Sequence, residues 1–209
     1  MKEKTETREG WVWPIDDVSC WKYMMSHPDL PSLVSSHVPN KKVCVQAGGN
    51  MGYYVKQYAE LFENVYTFEP DPINFYCLNQ NIQHENVFKY QACLGYDRSL
   101  VNLKIKTLNR GKNYVNGVGK IPTLRIDDLN LTTCDLIHLD IEGFEFFALQ
   151  GAVNTIKNCK PVVALEFFNK CATRFNYTIN DLEKLLSTLD YKLLKTYEEE
   201  RIYVPKSYN

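Results

Sequence analysis

The sequence has no apolar run long enough to cross a membrane. A spanning helix needs about 18 consecutive apolar residues, and polar residues interrupt every apolar run of this 209-residue chain well before that length. The first ten residues, MKEKTETREG, are charged and lack an apolar centre, so they do not have the pattern of a secretory signal peptide. These absences predict a soluble protein with a single domain-sized core.

Two further absences narrow the function. With 24 basic and 25 acidic residues the net charge is -1, so the chain lacks the overall positive charge of a nucleic-acid-binding protein. The seven cysteines are scattered, with no CxxC pair, and several lie in apolar runs. This arrangement predicts reduced cysteines in a cytoplasmic protein and argues against a zinc site or a disulfide framework.

The stretch VCVQAGGNMG, residues 43–52, is the clearest local signal. Its apolar beginning predicts a buried strand, Gly48 and Gly49 permit a tight turn, and apolar residues at helical spacing follow. A strand, a glycine turn and a helix predict a ligand-binding loop at the carboxyl end of a strand. The spacing is not the GxGxxG of dinucleotide-binding proteins, so an ordinary structural turn is the alternative.

A second predicted strand, NVYTFE at residues 64–69, ends in an acid. Glu69 lies 20 residues after Gly49, where an acid can accept hydrogen bonds from both hydroxyl groups of a ribose. A solvated glutamate at a strand end is the alternative. Asp71 is predicted to cap a helix that begins at Pro72, and a third strand is predicted at 87–93. This β-α-β-α-β order is typical of a doubly wound sheet.

The middle of the chain predicts a strand at 99–107 and a polar loop at 108–120. Arg110, Lys112 and Lys120 of this loop could contact an anionic substrate, and a solvated surface loop is the other interpretation.

The C-terminal half places three acids near the ends of two predicted strands. Asp140 and Glu142 fall at the carboxyl end of the strand at 135–141, and Glu166 lies near the end of the strand at 161–168. An acid among apolar residues is costly unless it is paired or used. His138 lies inside the first of these strands and is interpreted as a core residue.

The chain is predicted to end with a helix and a hairpin. Thr178 and Asp181 form a capping pair for the helix, and antiparallel strands at 191–197 and 201–205 close the edge of the sheet.

Residues 1–40 precede the first strand and contain all three tryptophans. Short helices are predicted at 17–27, ending before Pro28, and at 31–37. The tryptophans either pack this extension onto a main domain at 41–209 or form a lid whose rings border the substrate, because aromatic faces suit sugars and other amphipathic ligands. The predicted organisation is an N-terminal extension, 1–40, and one domain, 41–209.

Five segments resemble, in order, the signatures of the FkbM-type S-adenosylmethionine-dependent methyltransferases: VQAGGNMG, YTFEPDPINF, TLRIDDL, DLIHLDIEGFEFFALQGA and VVALEFF. The resemblance covers residues 43–168, and DIEGFE is its most specific part. It implies an α/β, Rossmann-like class I methyltransferase with a seven-stranded, mostly parallel sheet whose last strand, near 202–204, inserts antiparallel within a C-terminal hairpin. It also implies O-methylation of a sugar, a glycan or a small hydroxylated metabolite.

The resemblance implies S-adenosyl-L-methionine as cofactor, with Glu69 at the ribose and Asp140 near the sulfonium or the substrate. The implied cofactor-binding residues are Gln46, Ala47, Gly48, Gly49, Asn50, Gly52, Glu69, Pro70, Asn74, Ala92, Cys93 and Asp140. Gln46 departs from the family, which usually has an acid there, and this weakens the expected contact with the cofactor's amino group.

A hydroxyl acceptor needs a base within hydrogen-bond reach, and Asp140, Glu142 and Glu166 are the candidate catalytic residues. Three acids on one rim could instead hold a divalent cation, Mg²⁺ or Ca²⁺, that lowers the pKa of the hydroxyl; no metal ligand is assigned.

Two other functions compete with methyl transfer to a small-molecule or glycan acceptor. One is a non-catalytic Rossmann-like protein that binds an adenosyl ligand at a degenerate site. The other is an NAD-dependent oxidoreductase, against which the missing GxGxxG argues. A nucleic-acid methyltransferase is disfavoured because the chain has no NPPY-like motif.

Overall fold

The structure is a computed structural model that describes residues 2–27 and 29–208. The strands are β1 (Thr5–Arg8), β2 (Trp11–Pro14), β3 (Val43–Ala47), β4 (Asn64–Phe68), β5 (Val87–Tyr90), β6 (Cys93–Leu94), β7 (Leu100–Lys104), β8 (Tyr114–Val118), β9 (Ile121–Leu124), β10 (Leu136–Leu139), β11 (Val162–Glu166), β12 (Tyr191–Tyr197) and β13 (Glu200–Pro205). The helices are α1 (Ser19–Ser26), α2 (Leu30–Ser35), α3 (Tyr53–Leu61), α4 (Pro72–Asn81), α5 (Glu145–Gln150), α6 (Val153–Cys159), α7 (Asn169–Ala172) and α8 (Ile179–Thr188). The prediction that the first helix ends before Pro28 falls on a residue that lies outside the described ranges.

The central sheet has seven strands in the order β12-β13-β11-β10-β3-β4-β5. Strands β3, β4, β5, β10 and β11 are parallel, whereas β13 inserts antiparallel between β11 and β12. The predicted mostly parallel sheet with a C-terminal antiparallel hairpin is therefore confirmed. Its central strands are buried on both faces, as the near-continuous apolar runs of β10 and β11 predict.

The register of the sheet brings distant sequence segments to one edge. Leu139 of β10 pairs with Ala47 of β3 and with Leu165 of β11, and Ala47 also pairs with Phe68 of β4. Four neighbouring parallel strands consequently end at the same level. The loops that follow them lie side by side at the carboxyl edge, where open α/β sheets bind ligands.

Two sequence predictions in the middle of the chain were wrong. The strand predicted at 87–93 ends at Tyr90, and Cys93–Leu94 pairs instead in a second sheet of order β6-β9-β7-β8. The segment 108–120, predicted as a loop, contains a short 3₁₀ turn and β8. The reason is tertiary, because Val115 packs with Cys93 and Phe144 in a small cluster that local sequence does not show.

The N-terminal extension packs on the helices that cover the central sheet. Strands β1 and β2 form an antiparallel hairpin, and Asn81 of α4 bonds both backbone groups of Val12, at 2.7 and 2.9 Å. Trp13 is fully buried and meets Trp21 edge-on, with ring centroids 5.0 Å apart. In the described residues no helix is long and apolar enough to span a bilayer.

Candidate active site

A cavity of about 300 Å³ lies at the carboxyl edge of the central sheet, beneath α1 and the segment 109–115. Many of the residues singled out in the sequence line it. Those from the predicted cofactor set are Ala47, Gly48, Asn50, Glu69, Pro70, Ala92, Cys93 and Asp140. The other two candidate catalytic acids, Glu142 and Glu166, line it as well.

Four residues of the predicted cofactor set do not line the cavity. Gln46 is buried inside β3, where its amide donates to the Ala47 carbonyl at 3.1 Å and accepts from Thr67 Oγ1 at 2.6 Å. Gly49 lies against Thr67 of the next strand, and Gly52, with φ at 97°, begins α3. Asn74 is buried on α4. Gln46, the residue at which this chain departs from the family, thus lies beneath the cavity, within the sheet.

Gly48 has a backbone that only glycine adopts readily. Its φ is 86°, and a Cβ there would overlap the carbonyl oxygen of Asp140. Its N–H donates to the Phe68 carbonyl at 3.0 Å. The glycine therefore lets the loop after β3 pass directly beside the end of β10.

Glu69 is buried and accepts two backbone hydrogen bonds, from Asn50 N and Asp71 N, both at 2.8 Å. Burial and the nearby Asp71 carboxylate raise the pKa of Glu69 to about 8. Asp71 caps α4 by accepting from Ile73 N and Asn74 N, which confirms the predicted helix start at Pro72. Glu69 therefore ties the glycine loop to the beginning of α4.

Asp140 and Glu166 face one another at the ends of adjacent parallel strands. Burial raises the pKa of both carboxyls, and the nearby carboxylates of Asp140 and Glu142 raise that of Glu166 further. Two acids buried side by side are disfavoured as a pair of charges. Glu142 has a left-handed backbone with φ at 56° and accepts from the Cys171 thiol at 3.4 Å.

Glu145 is a structural residue of this site that the sequence analysis did not single out. It is buried, and its Oε1 accepts from Ile141 N and Gly143 N, both at 3.1 Å, while its Oε2 accepts from the Tyr177 hydroxyl. Burial raises its pKa to about 7. The available signal was an acid in the first turn of α5, two residues after Gly143, where it can accept from free backbone N–H groups.

The sequence suggested that Arg110 is either solvated or in contact with an anionic substrate, but in the structure it is paired with acids of this chain. Its side chain is buried, with two bonds of 2.8 Å to Asp16 and one of 3.1 Å to Asp71. Its backbone N–H donates to Asp17 at 2.7 Å. Arg110 therefore joins the extension, the cavity roof and the start of α4. Lys112 lines the cavity and Lys120 does not.

His138 is buried in β10, as interpreted, and does not line the cavity. Its Nδ1 lies 2.7 Å from the Tyr58 hydroxyl, and its Nε2 lies 3.4 Å from Glu200 Oε1. The charge of Glu200 raises the pKa of His138 against the opposite effect of burial.

The N-terminal extension contributes to the cavity through α1 and not through its tryptophans. Ser19, Cys20, Tyr23 and Met24 line it, and these positions share one face of the helix. The three tryptophans lie in or against the hydrophobic core. In residues 2–27 and 29–208, no group of three or more His, Cys, Asp or Glu side chains is arranged to hold a metal ion.

The strand order, the antiparallel insertion of β13 and a ligand-sized cavity at the carboxyl edge define a Rossmann-like methyltransferase fold. The family model of the methyltransferase FkbM domain matches residues 46–193. The chain therefore belongs to the FkbM methyltransferase family. A search of curated proteins finds no match.

Solved structures agree with this fold. The chain is similar to methyltransferase FkbM from Methylobacillus flagellatus KT, with 19% identity and a TM-score of 0.54, over 83% of this chain and 50% of that one. It thus spans half the length of that protein. A TehB-like SAM-dependent methyltransferase from Corynebacterium glutamicum gives 13% identity and a TM-score of 0.51, over 88% and 91% of the two chains. Magnesium protoporphyrin IX methyltransferase from Synechocystis, solved with bound SAM, gives 13% and 0.50, over 88% and 79%.

Proposed function

We propose that the protein is an S-adenosylmethionine-dependent O-methyltransferase that acts on a hydroxyl group of a sugar, a glycan or a small metabolite. The observation that carries this proposal is the number of acids that line the cavity. Glu69, Asp140, Glu142 and Glu166 line it, whereas in the described residues its cations are Arg110, already paired with Asp16 and Asp71, and Lys112. A buried set of acids with few cations suits a positively charged ligand.

S-adenosylmethionine meets that requirement, because it carries a sulfonium and an ammonium group and no phosphate. A nicotinamide dinucleotide would bring a negative pyrophosphate to the same acids, which disfavours the oxidoreductase alternative. The Oδ1 atom of Asn50 is buried beside the cavity without a hydrogen-bond partner. It can accept from an ammonium group, and Glu69, which follows β4, would accept from the ribose hydroxyls.

The residues that would hold the cofactor are the loop at Gly48, the acid Glu69, and Ala92 with Cys93 beside the adenine. When bound, S-adenosylmethionine supplies an electrophilic methyl group on a positively charged sulfur. The chain's own contribution is to align the acceptor hydroxyl and exclude water. Asp140, whose pKa burial raises to about 7, would accept the proton of an acceptor hydroxyl near neutral pH.

The test is calorimetric titration of the purified protein with S-adenosylmethionine and separately with NAD. Binding of the first without the second supports the proposal, and binding of neither supports a non-catalytic scaffold protein with a degenerate site. Methyl transfer is then followed by mass spectrometry of a cell extract incubated with the protein and an isotopically labelled donor. Label on the oxygen of a sugar or small metabolite is expected, and label on nitrogen alone would overturn the O-methylation part.

A further inference from the structure

The second sheet carries an unusual distribution of charge. Between Asp97 and Asp127 the chain has no acid over residues 98–126, although acids and bases are almost equal in number in the whole sequence. The same interval contains seven bases: Arg98, Lys104, Lys106, Arg110, Lys112, Lys120 and Arg125. The near-zero net charge of the protein therefore conceals a local basic surface.

The three arginines of this interval are already paired with carboxylates. Arg98 and Arg125 both bond the carboxylate of Asp128, and Arg110 is held by Asp16 and Asp71. The four lysines are exposed, and among the described residues none of them lies within 4.0 Å of a carboxylate. Their charge is consequently available to a partner.

Large apolar side chains are exposed beside these lysines. Val118 is 91% exposed and Leu108 is 69% exposed, and Leu100 and Ile105 are exposed as well. At one end of the β7–β8 ribbon, Val118 pairs with Val101, Gly119 N donates to the Leu100 carbonyl, and Lys120 follows. At the other end, Lys104, Ile105, Lys106 and Leu108 lie together in sequence. Each end thus combines cations with apolar side chains.

We infer that this ribbon, residues 100–120, is a docking surface for an anionic lipid membrane. Lysines beside exposed aliphatic side chains match the negative headgroups and the acyl boundary of such a surface. The apolar half of the pattern favours lipid over RNA, because RNA recognition relies on phosphate contacts and aromatic stacking. The ribbon also adjoins the cavity, whose lining includes residues 109–115, so docking would bring the cavity close to the membrane.

The experiment uses the full chain and extruded vesicles of phosphatidylcholine, alone or mixed in an about three-to-one ratio with phosphatidylglycerol. Co-sedimentation with the mixed vesicles is expected, with little binding to the neutral ones and a steep loss at high salt. Absence of binding to the mixed vesicles, or equal binding to both kinds, would overturn the inference.

Two triple variants distinguish the effect of where the lysines lie from the effect of the protein's net charge. Lys104→Glu/Lys106→Glu/Lys120→Glu reverses three charges on the ribbon, and Lys157→Glu/Lys184→Glu/Lys192→Glu reverses three exposed lysines elsewhere. About a five-fold loss of partitioning is expected for each ribbon lysine, whereas the matched control should bind nearly as the wild type does. Equal losses in the two variants would contradict a defined surface.

A third variant, Leu108→Ser/Val118→Ser, tests the apolar contribution and should weaken vesicle binding without a change in net charge. Melting temperatures of all variants verify folding. If a single-stranded RNA oligonucleotide displaces the wild-type protein from the mixed vesicles at equal phosphate concentration, the surface is a nucleic-acid site and the lipid inference is wrong.

Discussion

The Arg110 guanidinium donates to the Asp71 carboxylate at 3.1 Å and so connects the roof of the cavity to the helix that follows Glu69. Asp71 is buried and also accepts from Asn113 at 3.0 Å. The two residues are 39 positions apart, and each also contacts a further segment. The cavity is therefore closed by a charged connection rather than by the extension's tryptophans.

Replacement of Arg110 should destabilise the protein markedly, because Asp71 would remain as a buried charge without its cation. Arg110→Ala is expected to cost about 3 kcal/mol of unfolding free energy, which corresponds to a decrease of roughly 6–12 °C in Tm for a chain of this length. Differential scanning calorimetry measures the change. Arg98→Ala, which removes an exposed partner of Asp128, is the control and should shift Tm far less.

Gly48→Val should abolish S-adenosylmethionine binding, because φ at 86° and the Asp140 carbonyl oxygen both exclude a side chain. Calorimetric titration measures the affinity. Gly117→Ala is the matched control, since Gly117 also has a positive φ, 74°, but has open space around it. Unchanged affinity in the Gly48 variant would place the cofactor elsewhere.

Glu69→Ala should weaken S-adenosylmethionine binding by about ten-fold, because a hydrogen bond to the ribose would be lost. The substitution also frees the Asn50 and Asp71 N–H groups, so Glu69→Gln is needed beside it. If both variants bind as the wild type does, Glu69 is a purely structural residue.

Stability should decrease as the pH rises from about 5 to 8. Glu69 and Glu145 have folded-state pKa values of about 8 and about 7, above the ordinary range of a glutamate. Within this window the folded protein binds more protons than the unfolded chain, so the unfolding free energy decreases with pH. Tm measured against pH should show this slope, and Glu145→Gln should flatten it. Glu60→Gln, at an exposed position, should leave the slope unchanged.

Asp140→Asn should retain cofactor affinity and lose about 10²–10⁴-fold in turnover, the usual contribution of a general base. Labelled methyl transfer into a cell extract measures the rate. Full activity would exclude Asp140 as the essential base. Glu166→Gln then shows whether the pair acts together, since loss of either partner should change the pH dependence of transfer.

Tyr23→Ala should reduce labelled product while the affinity for S-adenosylmethionine stays within about two-fold. Tyr23 lies on α1, outside residues 46–193 that the family model matches. It lines the cavity, and 46% of its surface is exposed. Its ring stacks on that of His27. Lys22→Ala, an exposed neighbour on the same helix that does not line the cavity, is the control. A weaker cofactor affinity in the Tyr23 variant would instead assign the ring to the cofactor.

The sequence by itself determined the order of the main strands and helices, the C-terminal antiparallel hairpin and most of the cavity floor. These features depend on local rules: apolar runs form buried strands, glycines permit left-handed turns, and Asp71 before Pro72 begins a helix. Parallel strands then bring Gly48, Glu69, Asp140 and Glu166 to one edge without any further information.

Only the tertiary structure decided which of the predicted residues face the cavity and what closes it. Gln46 and Asn74 have sequence positions typical of a cofactor site, yet packing directs their side chains into the protein interior. The partners of Arg110 lie 39 and 94 residues away, and Val115 is in a strand because Cys93 and Phe144 cover it. Such contacts depend on the path of the whole chain, so no local pattern of residues encodes them.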